Sequence, residues 1–138
     1  MAEAARPRIA LINDDLPFLA LMQDLLGSIE GYEVLVCKEG DKAYEFVKQH
    51  RPDLVLLDIR MGGEQIGWTI LQLLTLDPTT RPIPLIVCSA AIHDLQAHEP
   101  LLQRHGVALL PKPFDLDELL AKIQAALRKG KTGLEGGR

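Results

Sequence analysis

The chain has 138 residues, 47% hydrophobic and 25% charged, and a formal net charge of −4 at pH 7. That is one domain's length with enough apolar content for a core, so whole-chain disorder is excluded, and the acidic balance argues against a protein that coats nucleic acid. Eleven Gly, nine Pro and two Cys exclude collagen-like and disulfide-dense scaffolds, and no apolar run reaches the roughly eighteen residues of a membrane span.

Residues 1–7 read as a flexible N-terminus without the apolar region of a secretory signal. Ile9-Ala10-Leu11-Ile12 is the first of five short apolar runs and ends in Asn13-Asp14-Asp15. Phe18, Met22, Leu25, Leu26 and Ile29 then recur at helical spacing. Val34-Leu35-Val36 is the second run, and Ala43, Phe46, Val47 and His50 trace a second helix. Leu54-Val55-Leu56-Leu57 ends in Asp58, and Ile70, Leu71, Leu74 and Asp77 mark a third helix less regularly. Leu85-Ile86-Val87-Cys88 ends in Ser89. In the stretch from Ile92 to His105, Pro100 either opens a short helix at its first turn or kinks a longer one. Ala108-Leu109-Leu110 leads through Pro111 to Lys112. The last helix has the clearest stripe, Leu116, Leu119, Leu120, Ile123, Ala126 and Leu127. Asp115 and Glu118 form a capping box at its start, and Gly130 is expected to close it. Residues 8–129 are thus the expected domain, and residues 130–138 a disordered tail or the stub of a linker.

The five runs are continuously apolar rather than alternating, as strands buried on both faces of a parallel sheet are. Runs separated by helices give an α/β sandwich with right-handed crossovers. In such a sheet the C-terminal strand ends line the ligand crevice. That edge receives Asp14 and Asp15 from the first run, Asp58 from the third, Ser89 from the fourth and Lys112 from the fifth. If three carboxylates approach within about 4–6 Å, each like-charge pair costs on the order of 3 kcal/mol at an effective dielectric near 20. Such a cluster takes up protons or recruits a cation. Mg²⁺ suits an open oxygen site of one or two carboxylates, waters and a phosphate oxygen. A carboxylate beside it can act as nucleophile and form an aspartyl phosphate, with Lys112 and Ser89 binding the phosphoryl oxygens.

These strand ends resemble the receiver domain of two-component response regulators. The matching stretches are Ile12-Asn13-Asp14-Asp15-Leu16-Pro17, Pro52-Asp53-Leu54-Val55-Leu56-Leu57-Asp58-Ile59-Arg60-Met61, Val87-Cys88-Ser89-Ala90 and Pro111-Lys112-Pro113-Phe114, and the similarity spans about residues 8–128. The resemblance implies a flavodoxin-like, doubly wound, five-stranded parallel sheet of order 2-1-3-4-5 with five helices. It implies Asp58 as phosphoacceptor, Asp15 as a direct Mg²⁺ ligand, Asp14 as a ligand through water and the main-chain carbonyl of Arg60 as a third protein ligand. It implies Ser89 as the switch hydroxyl, Ala90 as the small residue that leaves access, Lys112 as the phosphoryl-binding lysine and a cis Lys112–Pro113 bond. The function implied is that of a phosphoprotein switch in a phosphorelay. It takes its phosphoryl group from a sensor histidine kinase, a histidine phosphotransfer protein or a small acyl phosphate. It is not an enzyme beyond catalysing its own phosphorylation and dephosphorylation. The expected setting is the cytoplasm, and Cys37 and Cys88 as unpaired thiols suit it. The expected output is a protein contact, without direct DNA binding or membrane insertion.

Several positions depart from the family's pattern. Leu109 stands where an aromatic residue is usual on the fifth strand. Met61-Gly62 replaces Met-Pro, and the loop to Gly67 is one residue longer. Arg60 and Ala91 occupy positions that tune hydrolysis of the acyl phosphate, and Arg60 is expected to shield it. A second class of function is a receiver-like interaction module that no longer uses phosphate. Among enzymes of this architecture, a haloacid-dehalogenase-type phosphatase needs an Asp where Arg60 stands, and Asn13-Asp14-Asp15 would repel the phosphate of a flavin. His50, His93, His98 and His105 lack metal-ligand spacing, and Trp68 reads as helix packing.

Overall fold

The computed structural model describes residues 6–60, 64–89, 99–112 and 115–136; of Ser89 only the main chain is described. In chain order the elements are β1 (Arg8–Ile12), α1 (Leu16–Met22, continued by π-helical turns over Gln23–Ile29), β2 (Glu33–Cys37) and α2 (Ala43–His50, preceded by a 3₁₀ turn over Gly40–Lys42). Then follow β3 (Leu54–Asp58), α3 (Glu64–Leu76), β4 (Leu85–Ser89), α4 (Glu99–Arg104), β5 (Ala108–Pro111) and α5 (Leu116–Gly136). The sheet has five parallel strands in the order β2-β1-β3-β4-β5. Strand order reverses between β1 and β3, which makes their C-terminal ends the switch point.

Alternate residues of the central strands feed two cores. Ala10, Ile12, Val55, Leu57, Leu85 and Val87 join side chains of α2, α3 and α4 on one face. Ile9, Leu11, Leu54, Leu56, Ile86 and Cys88 join those of α1 and α5 on the other. This two-sided burial is why the runs are continuously apolar. The two edge strands are the exceptions: Val34, Leu35 and Val36 of β2 and Ala108 and Leu109 of β5 are only half-buried.

Three local outcomes refine the sequence expectations. Among the described residues Pro100 is the second residue of α4 (Glu99–Arg104), a first-turn position where the missing amide costs no helical hydrogen bond. Leu25 and Leu26 are buried, but Ile29 is 69% exposed. The π turns, marked by the Glu30 amide donating to the Leu25 carbonyl at 3.0 Å, advance the helix phase more slowly than the α-helical stripe assumes, so Ile29 rotates to solvent. α5 does not stop at Gly130 but continues to Gly136. A glycine inside a helix costs only about 1 kcal/mol relative to Ala and lacks the ring clash of a proline. The capping box is half realised: the Glu118 amide donates to Asp115 Oδ1 at 2.8 Å.

Candidate functional site

The register aligns the strand ends. Ile12 pairs with Leu57, Asp58 with Cys88, and Ser89 with Pro111. The residues just beyond β1 therefore lie beside Asp58, and Lys112 lies one residue past the partner of Ser89. Residues far apart in the chain share one edge, with neighbouring strands about 4.8 Å apart.

Asp58 is the best-defined side chain of this edge. Its Oδ2 accepts from Lys112 Nζ at 3.3 Å, with the two side chains 13% and 25% exposed. Its Oδ1 accepts from the Arg60 main-chain amide at 3.0 Å. One oxygen is thus fixed by the loop that follows β3, and the other faces a partly desolvated ammonium. Screening by water is reduced there, so the charge pair is directional.

Asp14 and Asp15 are exposed at the end of β1. Asp15 is also the N-cap of α1: its Oδ1 accepts from the Phe18 amide at 3.2 Å. Its own amide donates to Asn13 Oδ1 at 2.9 Å, and buried Asn13 is anchored by its main-chain amide, which donates to the Cys37 carbonyl at 3.1 Å. The acids share the edge, yet among the described residues no group of three His, Cys, Asp or Glu side chains closes into a metal cage. The donor set nonetheless fits a hard cation that keeps most of its waters, because it offers exposed carboxylates and a main-chain carbonyl rather than enclosing protein ligands.

Three contributors carry no assigned role in the sequence reading. Phe18 lies with its ring centroid 4.9 Å from Lys112 Nζ, a cation–π contact. Phe18 belongs to the apolar stripe of α1, and nothing local signals its contact with a lysine on β5's exit. Asn13 orders Asp15 from within. Cys88, beside Asp58, is 1% exposed, and burial pushes its thiol pKa up to about 12, with Lys112 pulling it down and Asp58 adding to the rise. Cys37 is likewise raised by burial, its Sγ donating to the Glu39 carbonyl at 3.3 Å. β1 and β3 lie between the strands of these two free thiols, as expected. Trp68 is buried in the core around α3, and Leu109 packs half-buried against that core. The expectations for Met61, Gly62, Ala90, Ala91, His93, His98 and the Lys112–Pro113 bond lie outside the described residues, as does the side chain of Ser89.

The family model of the response regulator receiver domain matches residues 9–124. The chain is 32% identical over 123 residues to the DNA-binding dual master transcriptional regulator RpaA of Synechocystis, covering 89% of this chain and 50% of that protein. It spans about half the length of the curated relatives it matches. A CheY-like receiver domain from Methanospirillum hungatei superposes with a TM-score of 0.76 at 22% identity, covering 93% of this chain and 98% of that one. The receiver domain of the sensor histidine kinase PA1611 of Pseudomonas aeruginosa, with a magnesium ion coordinated in its active-site cleft, superposes with a TM-score of 0.73 at 25% identity, covering 89% and 98%. The chain belongs to the response regulator receiver domain family. A receiver domain is the phosphoryl-accepting switch of a two-component system, and receiver domains interact with histidine kinases.

Proposed function

We propose that Asp58 is the residue of this chain that accepts the phosphoryl group. The observation that carries this is the Asp58–Lys112 pair at the C-terminal edge of β3, with the second carboxylate oxygen held by the Arg60 amide. A carboxylate oxygen of Asp58 attacks the phosphorus of a phosphohistidine or an acyl phosphate. The new O–P bond forms as the bond to the leaving imidazole or acyl oxygen breaks. Lys112 then follows the charge from the carboxylate to the phosphoryl oxygens, and Ser89, the last residue of β4, would add a hydroxyl donor. Asp14, Asp15, Asp58 and the Arg60 carbonyl would hold Mg²⁺, which when bound offsets the negative charge gathered at this edge. Asn13 keeps Asp15 in place, and Phe18 confines the ammonium of Lys112.

The domain is read as a signalling switch rather than an enzyme with its own substrate. Its donor is a sensor histidine kinase or histidine phosphotransfer protein in the cytoplasm, and its output is a contact with a downstream protein. RpaA and MtrA are named as DNA-binding. The net charge of −4 does not favour a phosphate backbone, so no DNA contact is assigned to this domain. Among the described residues no helix is long and apolar enough to cross a membrane.

The test is intact-protein mass after incubation with acetyl phosphate and Mg²⁺, quenched at short times. One added phosphoryl group is expected, lost in Asp58→Asn and strongly reduced when Mg²⁺ is chelated. An adduct that persists in Asp58→Asn, or no adduct at any quench time, would overturn the assignment.

A further inference from the structure

We infer that the opposite, N-terminal edge of the sheet carries a second site, for a small amphipathic anion: a carboxylate, sulfonate or phosphate borne on an apolar body. A cavity of about 550 Å³ opens there. Its floor is Val55, Leu85 and Ala108, the residues at or near the starts of β3, β4 and β5. The loop 80–84 walls one side and Ala125 and Ala126 of α5 the other. The volume lies within the range of small-molecule pockets, about 300–1,000 Å³, whose walls are mostly apolar with few polar groups.

The polar groups at this cavity are of one sign. Arg81, His105 and Lys122 line it, and among the described residues no Asp or Glu does, although the chain as a whole carries a net charge of −4. Among the described residues none of these three side chains is engaged in an ion pair or side-chain hydrogen bond. Two permanent cations and an imidazole around an apolar floor select an anion. The guanidinium of Arg81 offers the planar fork that matches a carboxylate, sulfonate or phosphate. A bare inorganic anion would leave the apolar floor in water, and a neutral hydrocarbon would leave the cations uncompensated. The class that satisfies both parts has a charged head and an apolar body.

The cavity is held open by its own walls. Thr80 Oγ1 donates to the Leu74 carbonyl at 2.7 Å, the Arg81 amide to the Asp77 carbonyl at 2.7 Å and the Ile83 amide to the Thr80 carbonyl at 3.0 Å. Pro82 and Pro84 further restrict this loop. On the facing turn the Val107 amide donates to the Leu102 carbonyl at 2.9 Å, and at Gly106 (φ +70°) an added Cβ would meet nothing within 4 Å. The short side chains of Ala125 and Ala126 leave the space that larger residues would fill. A ligand therefore meets a pre-formed site and orders little on binding.

The test uses the full chain and two dyes, anilinonaphthalene sulfonate and its neutral counterpart phenylnaphthylamine. Saturable one-site binding of the sulfonate is expected, with amide shifts in NMR centred on residues 80–85, 105–108 and 122–126. The double variant Arg81→Gln/Lys122→Gln, which removes exposed or half-exposed charge, should weaken the sulfonate at least tenfold and the neutral dye less than twofold. Ala126→Leu should weaken both by filling the cavity, with circular dichroism reporting that each variant is folded. Non-saturable sulfonate binding, shifts centred elsewhere, or equal affinity of the double variant for the sulfonate would each overturn the proposal. None of these readouts involves Asp58, so the outcome is independent of the phosphoacceptor assignment.

Discussion

Cys88 sits directly across from Asp58 in the β3–β4 ladder, and its thiol is held protonated mainly by burial, with Asp58 opposing a second negative charge beside it. The folded pKa is pushed up to about 12, against about 8.5 for an exposed thiol. Below the unfolded value both states keep the proton and this contribution to stability is complete. As pH rises beyond it, the unfolded chain ionises while the folded one does not, so stability falls by about 1.4 kcal/mol per pH unit until the folded thiol titrates. Urea unfolding at pH 8 and pH 10 should show wild type losing about 2 kcal/mol more than Cys88→Ala over that interval. Equal losses would mean that Cys88 is not the group responsible. At this scale the sequence was informative about charge and silent about neighbours. Asp58 and Lys112 could be placed together because each ends an apolar run. Phe18 could not, because an aromatic residue in an apolar stripe looks the same whether it covers a leucine or a lysine. Asp15 shows the converse: one carboxylate serves as a helix N-cap and as a candidate metal ligand, and spacing alone does not distinguish the two uses.

The β3–α3 connection shows how an element constrains the site it carries. At Gly67 an added Cβ would lie 1.7 Å from the Ile59 carbonyl oxygen, so the first turns of α3 rest directly on the main chain one residue after Asp58. No side chain can relieve that clash, because the contact is backbone. Gly67→Ala must therefore displace α3 or the strand end, and the expected cost exceeds the roughly 1–3 kcal/mol of ordinary overpacking. A thermal melt checks the loss. The Asp58 phosphorylation assay should also slow, since the Arg60 amide that fixes Asp58 Oδ1 lies in the same connection; a variant as stable and as readily phosphorylated as wild type would refute the contact. Element by element, the strands were legible because two-sided burial writes itself as unbroken apolar runs. Helix details were less so. The exposure of Ile29 follows from a change of helical pitch that composition does not encode, and the run of α5 past Gly130 follows from a glycine penalty too small to stop a helix by itself. The close approach at Gly67 was visible only as a glycine after a loop, without any sign of what it touches.

Across the whole molecule, strand order was legible only through the family resemblance, because apolar runs alone say that strands are buried and not which are neighbours. The order β2-β1-β3-β4-β5 has a physical consequence beyond the site it creates. β1, β3 and β4 each send successive residues to opposite faces, so the core around α2, α3 and α4 and the core around α1 and α5 are built on the same strands. Stripping the helices from one face would expose Ala10, Ile12, Val55, Leu57 and Val87 while leaving Ile9, Leu11, Leu54, Leu56 and Ile86 tied to a sheet that had lost half its support. Each fully buried aliphatic side chain contributes about 1.5–3 kcal/mol, so losing several at once exceeds the whole net stability of a domain of this size, about 5–15 kcal/mol. Neither face can therefore open as a stable intermediate. Trp68 reports on the first core, and in a Tyr44→Phe background, which removes the tyrosine packed on that core, Tyr32 reports on the second, which provides a direct check. Tryptophan fluorescence, tyrosine absorbance and far-ultraviolet circular dichroism should give coincident urea transitions with one midpoint and one slope. A Trp68 transition that precedes the loss of helix signal would mean that the α2–α3–α4 face unfolds on its own and that the shared strands do not couple the two cores.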